Sequence, residues 1–302
     1  MVHWFNSPLQ FHRRWKETKN EKQYIGNGRY RLLHEIGQGT SSIVHLAIDL
    51  KTKQKYAIKE ISKSRLARQY QSNLFYQNKK RDSMSYSKEM IVSNTDYSKK
   101  RKLNNTIQQQ IITKQMTLVV KEATILKQLS KHINIIDFIE MIQDSEYEDS
   151  IFIVTEFVEK GVVMDIIPHS STKPYSEIQC YLIFKQLVAA VDHLHQNQII
   201  HGDIKPQNLI LSKDNSLRLI DFGTATFIIN KATHYDYKMS GTPAFMAPEL
   251  LKKTSKEGSE PSSPTCIDIW SMGITLYCLV YGHLPFERTH LLDLYFDIQN
   301  KS

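Results

Sequence analysis

Three short clusters hold the residue types and spacing that could do chemistry: His201-Gly202-Asp203-Ile204-Lys205-Pro206-Gln207-Asn208, then Asp221-Phe222-Gly223, then Ala247-Pro248-Glu249. Far upstream, Gly37-Gln38-Gly39 lies between two strand-like runs. A glycine pair there lets backbone N–H groups approach a phosphate closely. Lys59, in Tyr56-Ala57-Ile58-Lys59, sits where a strand could present one ammonium to the same phosphates. Each signal alone is weak, since a Gly-x-Gly turn is most often a plain hairpin and a lone lysine a solvated surface residue. A strand rather than a helix follows the glycines, which argues against a dinucleotide-binding fingerprint.

The surrounding elements must position these residues. From Tyr30, the runs YRLLHEIGQGT, SSIVHLAIDL and KQKYAIKEI alternate apolar with polar residues around turns, which predicts a three-stranded antiparallel meander. The run VVKEATILKQLSKH has helical spacing with lysines on its other face. IFIVTEF reads as a short strand, and no sheet elements are expected after it. From Ser176 onward the pattern is helical. IQCYLIFKQLVAAVDHLHQ has a broad apolar face, and IDIWSMGITLYCLVY is apolar nearly all round, as suits a helix buried in a lobe. The expected class is α+β, a small β-rich lobe followed by a larger helical one.

The chain has 302 residues, 41% hydrophobic and 23% charged, enough apolar material for a real core, with a net charge of +8. The charge is local. Between Ser62 and Thr117, 12 Lys and Arg face three Asp and Glu, a net +9 that leaves −1 for the rest. This segment lacks Gly and Pro and reads as an insertion, largely disordered, with helical potential near Ile107 to Gln115. A near-neutral remainder gives no reason to expect nucleic acid as a partner. Cys180, Cys266 and Cys278 are too few for a disulfide scaffold and too far apart for a zinc cluster, so a reducing, cytoplasmic setting is expected. Residues 1–24 show no clear period. No signal peptide or membrane span is expected, because the most hydrophobic stretch, Ile267 to Val280, is short and interrupted.

Taken in their order and spacing, the three clusters, after the glycine pair and the Ala57-Ile58-Lys59 run, resemble the eukaryotic protein kinases over about Tyr30 to Phe286. The resemblance implies a bilobal kinase-like fold with an N-terminal tail over 1–29, an N-lobe over 30–158 carrying the basic insertion 62–117, and a C-lobe over 159–302. It implies ATP and Mg2+ as cofactors and a protein as substrate. Asp203 would then accept the substrate hydroxyl's proton, Asn208 and Asp221 would hold magnesium, and Lys59 would pair with the α/β-phosphates and with a helix glutamate, assigned to Glu122. Ile36, Gly37, Gln38 and Gly39 would cover the nucleotide. Val44, Ala57 and Ile210 would enclose the adenine, with backbone groups of Glu156 and Val158 at its edge and Thr155 as gatekeeper. Leu126, His201 and Phe222 look like the stacked residues that join the Glu122 helix to the catalytic loop.

Asp203-Ile204-Lys205-Pro206-Gln207-Asn208 matches the serine/threonine form of this loop, with Lys205 near the transferred phosphate. Thr242 matches the threonine that such kinases bond to the catalytic aspartate and lysine. The run Ser240 to Glu249, the post-hinge Gly161 to Asp165, and Trp270 to Phe286 resemble the calcium/calmodulin-dependent protein kinase kinases and the related upstream kinases of the AMP-activated protein kinase. That resemblance implies the activation-loop threonine of another kinase as acceptor. Val162 and Gln207 stand where arginine-selecting kinases place acids, so no dominant arginine is expected just before the phosphoacceptor.

Three departures bear on this reading. Gly202 replaces the arginine of the usual His-Arg-Asp, which predicts weak dependence on phosphorylation of Thr233, Ser240 or another loop residue. Ser42 stands where many kinases have a third glycine. The chain stops at Ser302, so the C-lobe is expected to be incomplete at its C-terminus and Glu249 to lack its arginine partner. Two other function classes therefore stay open at this point, a truncated, non-catalytic nucleotide- or partner-binding module and a nucleic-acid binder acting through 62–117.

Overall fold

The structure, a computed structural model, describes residues 3–4, 24–39, 42–68, 113, 116–228, 241–251 and 263–300. The chain divides into two compact units, the first comprising Met1–Ala123 with Ile139–Thr155 and the second Thr124–Phe138 with Glu156–Ser302.

The first unit is built on strands β1 (His3–Trp4), β2 (Tyr24–Ile25), β3 (Tyr30–Gln38), β4 (Ser42–Asp49), β5 (Lys55–Ser62), β6 (Phe138–Ile142) and β7 (Ser150–Glu156). They form one sheet in the order β1-β3-β4-β5-β7-β6, with β2 also paired to β3. The expected meander is β3-β4-β5, antiparallel throughout, and its register places Val44 opposite Lys59 and Leu46 opposite Ala57. Side chains alternate between faces along a strand, so Val44, Leu46, Ala57 and Lys59 share one face. The other face supplies the core, where Ala47 and Ile58 pack with Ile25, Tyr30, Phe152 and Val154.

Helix α1 (63–68) follows β5 directly, so the insertion opens with order rather than disorder. Asp149 holds this start: its carboxylate accepts from the hydroxyls of Ser62 and Ser64 at 2.7 and 2.8 Å and from the Ser64 amide at 3.0 Å. As acceptor, the carboxylate satisfies an amide at the helix start that a sequence pattern leaves blank. Thr113 is helical; the rest of the Ile107 to Gln115 expectation lies outside the described residues, as does the insertion over 69–112. Helix α2 covers 116–128 and carries Glu122.

In the second unit, α3 (Glu177–Gln196) starts at a capping box, Ser176 bonding Gln179 reciprocally. The unit also holds α4 (Pro248–Leu251), α5 (Cys266–Tyr281) and α6 (Leu291–Asn300). Sheet structure does not end at IFIVTEF. Strands β8 (Gly161–Val162), β10 (Leu209–Leu211) and β11 (Leu217–Leu219) form one small sheet, and β9 (Ile199–Ile200) pairs with β12 (Thr226–Phe227). Strands of two or three residues are too short to show a period of two, which is why the pattern conceals them. Helix α5 also departs from expectation: it buries a stripe that includes Asp268, Ser271 and Thr275, while Ile269 and Tyr281 are exposed. Among the described residues, no helix is long and apolar enough to cross a membrane.

Candidate active site

In the first unit, β5 and α2 bring Lys59 and Glu122 together from 63 residues apart. Lys59 Nζ lies 2.7 Å from Glu122 Oε1, both side chains largely buried. A short, partly desolvated pair of this kind gives the ammonium a fixed direction. Val44 and Ala57 lie on the same sheet face as Lys59. The carbonyl of Ala57 accepts from the Thr155 hydroxyl at 3.3 Å. Ile36 falls at an irregularity in the β3–β4 pairing, where the register shifts between Glu35 and Gly37. Beyond it Gln38 pairs with Ile43, and the turn is held by the Gly39 amide donating to the Ser42 carbonyl at 2.8 Å.

In the second unit, the loop between β9 and β10 holds the other group of expected residues. Asp203 is buried, and its two carboxylate oxygens are separately engaged. Oδ1 accepts from the Thr242 amide at 2.8 Å. Oδ2 accepts from Lys205 Nζ at 2.6 Å and from Asn208 Nδ2 at 3.2 Å. Lys205 Nζ also donates to Thr242 Oγ1 at 2.6 Å, closing a ring of three residues through the Thr242 amide. Asn208 Nδ2 further donates to the Asp203 carbonyl at 2.8 Å, so both of its amide hydrogens are spent on Asp203. A carboxylate with this many charged and backbone donors has its orientation set in advance.

Asn208 Oδ1 is buried and has no hydrogen-bond partner. An unmatched hard oxygen on a side chain bonded to the Asp203 carboxylate is the donor type that magnesium takes. The Ile220 amide donates to the Asn208 carbonyl at 3.0 Å, so Asp221 follows on the backbone segment adjacent to Asn208. Asp221 itself is left-handed, φ 63° and ψ 76°, a conformation that costs a residue with a side chain about 1–3 kcal/mol and gathers at functional sites. Magnesium usually keeps waters and takes one or two protein ligands plus phosphate oxygens, so two residues such as Asn208 and Asp221 could hold it without a larger cluster.

The remaining expected residues have supporting places. Ile210 is buried in β10, opposite Val162 of β8 and Arg218 of β11. Glu156 uses its amide on the Asp137 carbonyl at 3.0 Å and its carboxylate on Arg218 Nε at 2.9 Å. Val158 is buried. His201 meets Phe222 edge to face at 5.0 Å between ring centroids, and Leu126 is buried in the same unit. Thr233 and Ser240 lie outside the described residues.

The sequence pattern missed Asp268. This fully buried carboxylate accepts from the His201 amide and His195 Nε2 on one oxygen, and from the Gly202 amide on the other, each at 2.9 Å. It thereby fixes the backbone just ahead of Asp203. His201 extends the tie, its Nδ1 accepting from the Asp203 amide at 3.3 Å and its Nε2 donating to the Ile220 carbonyl at 3.1 Å. The available signal was the lone acid inside an otherwise apolar helical run. Gly202 also gains a reason: its φ of +76° suits glycine and strains a residue with a side chain.

A profile of the family described as Protein kinase domain matches residues 94–301. The chain is 31% identical over 98% of its length to a calcium/calmodulin-dependent protein kinase kinase, cmkC, of Emericella nidulans, and spans 58% of that protein. It is 35% identical over 91% of its length to the serine/threonine-protein kinase ppk34 of Schizosaccharomyces pombe, spanning 72% of it. With a calcium/calmodulin-dependent protein kinase kinase of Caenorhabditis elegans it shares 33% identity over 93% of its length and 46% of the relative.

Proposed function

Since the chain belongs to the protein kinase family, we propose that it transfers the γ-phosphate of ATP to a serine or threonine hydroxyl of a protein, with Asp203 as the base. The observation that carries this is the Asp203 carboxylate, oriented by Lys205, the Thr242 amide and Asn208 within one unit. In the transfer, the acceptor oxygen forms a bond to the γ-phosphorus while the bond to the β–γ bridging oxygen breaks. ADP leaves with that electron pair, and the acceptor's proton passes to Asp203. Lys205 keeps positive charge beside the transferred group. Lys59, directed by Glu122, supplies an ammonium for the α/β-phosphates. Asn208 and Asp221 are the residues that would hold magnesium, which when bound neutralises charge on the phosphates. Val44 and Ala57, on one face of the first unit's sheet, offer apolar contact for the adenine. Because the Glu156 amide already donates to Asp137, a contact at the adenine edge falls to its carbonyl.

The acceptor is proposed to be the activation-loop threonine of another protein kinase. Support comes from the names of two relatives, which describe kinases of a calcium/calmodulin-dependent protein kinase. Gln207 supports a substrate preference without dominant arginine just before the acceptor: it is an amide, and it is tied to the Ile166 carbonyl at 2.8 Å. Gly202 offers no cation for a phosphorylated loop to pair with, so phosphatase treatment should leave turnover largely intact.

The test is transfer of radiolabel from γ-labelled ATP to a catalytically dead calcium/calmodulin-dependent protein kinase, with its activation-loop threonine intact or replaced by alanine. Label that needs both this threonine and Asp203 of the present chain is the expected result. Equal label with Asp203→Ala overturns the base assignment, and label that survives the acceptor replacement overturns the acceptor.

A further inference from the structure

The end of the activation segment meets the catalytic loop at a glycine whose role the sequence did not suggest. Gly241 has φ +103°, and a Cβ built on it would sit 2.6 Å from the Gly202 carbonyl oxygen and 3.4 Å from Asp203 Oδ1. The first distance is closer than any real side chain tolerates, and the obstacle is backbone. That backbone cannot retreat easily. Asp268 holds the amides of His201 and Gly202 at 2.9 Å, and Thr224 Oγ1 donates to the His201 carbonyl at 2.9 Å. Any side chain at 241 would therefore displace residue 241 and its neighbour Thr242, not the loop. Thr242 is the residue whose amide bonds Asp203 Oδ1 at 2.8 Å and whose hydroxyl accepts from Lys205 at 2.6 Å. Gly202 offers a contrast, because a Cβ there would meet nothing closer than the Thr224 carbonyl at 3.5 Å, ordinary van der Waals contact.

We propose that Gly241 is a positioning residue for phosphoryl transfer: its missing side chain lets the activation segment lie against the Gly202 carbonyl, so that Thr242 can orient Asp203 and Lys205. The inference rests on the assignment of Asp203 as the base. It adds that a backbone contact between two glycines sets the geometry of this base alongside its charge pair with Lys205.

The test compares the full chain with Gly241→Ala, Thr242→Val and the double variant, reading kcat, KM for ATP, thermal melting and hydrogen exchange at the Thr242 amide. Gly241→Ala should lower kcat about 10- to 100-fold, as small misplacements of a reacting group do, with KM for ATP within about twofold of the parent. Protection of the Thr242 amide should be lost. The double variant should be about as slow as Gly241→Ala alone, because both changes act through one contact. Retained protection at Thr242, or losses that multiply in the double variant, overturns the proposal. If Gly241→Ala does not fold, Thr242→Val decides through the hydroxyl, since turnover equal to the parent overturns the positioning of Lys205 by Thr242 and a kcat loss with unchanged melting supports it. Asp203→Ala separates the two readings: undiminished turnover there rejects the base assignment, while exchange at the Thr242 amide, compared between the parent and Gly241→Ala with Asp203 in place, still reports on Gly241.

Discussion

The Lys59–Glu122 pair of the first unit and the Asp203 cluster of the second hold charged groups still by different physical means. Lys59 and Glu122 meet through two rotatable side chains, one on a strand and one on a helix, at 2.7 Å. Their contact depends on where α2 lies. Asp203 is held largely by its own loop and by backbone, through the Thr242 amide and through amides that Asp268 fixes ahead of it. Its contact depends on the fold of the loop. A tie between side chains is adjustable by moving one element, whereas a tie built from backbone amides is preorganised and fails only when the local fold fails.

Four substitutions probe this contrast. The largest loss is expected for Asp203→Ala, about 1,000-fold in turnover, with melting close to the parent; single-turnover transfer of labelled phosphate measures it. Asp268→Ala should affect both properties at once. It strands the buried His201 amide, the partly buried Gly202 amide and His195, an effect of about 3–5 kcal/mol on stability, and turnover should fall with it. Normal melting with slow turnover would show that Asp268 acts on Asp203 without supporting the loop, which would weaken the contrast. Glu122→Gln keeps the shape and removes the charge; turnover should fall about tenfold, near 1.4 kcal/mol, with a higher KM for ATP and little change in melting. A large melting shift would mean that the adjustable pair is structural too.

The smallest effect concerns acid. Burial pushes the Asp149 carboxyl up, but hydrogen bonds from Ser62 and Ser64 outweigh this and hold it below its ordinary value. A depressed carboxyl contributes stability that is present above its unfolded value, near 4, and lost as pH falls through the folded one. Melting should therefore drop more steeply below about pH 4 in the parent than in Asp149→Asn. Identical acid limbs would show that this cap carries no linked stability.

Much of the candidate site was legible because kinase-like chemistry is written in contiguous runs. Asp203, Lys205 and Asn208 share eight consecutive positions, and their mutual bonds span at most five residues. Lys59 was readable from the strand that carries it, and Glu122 as the only acid of its helical run. Asp268 was hidden because it works across 66 and 67 residues, and neither its helix nor the loop announces the other. The strands β8 to β12 were hidden by shortness, and α1 because its donors meet Asp149 from 85 residues away.

Residue order was therefore enough to name the family, the fold class and the candidate groups, since local spacing survives in any conformation of the chain. Folding had to supply the rest: which acid anchors the loop, why positions 202 and 241 are glycine, and which way each oxygen of Asp203 faces. Those are properties of distances between remote backbone segments, down to the 2.6 Å that excludes a side chain at Gly241, and no one-dimensional pattern encodes a distance of that kind.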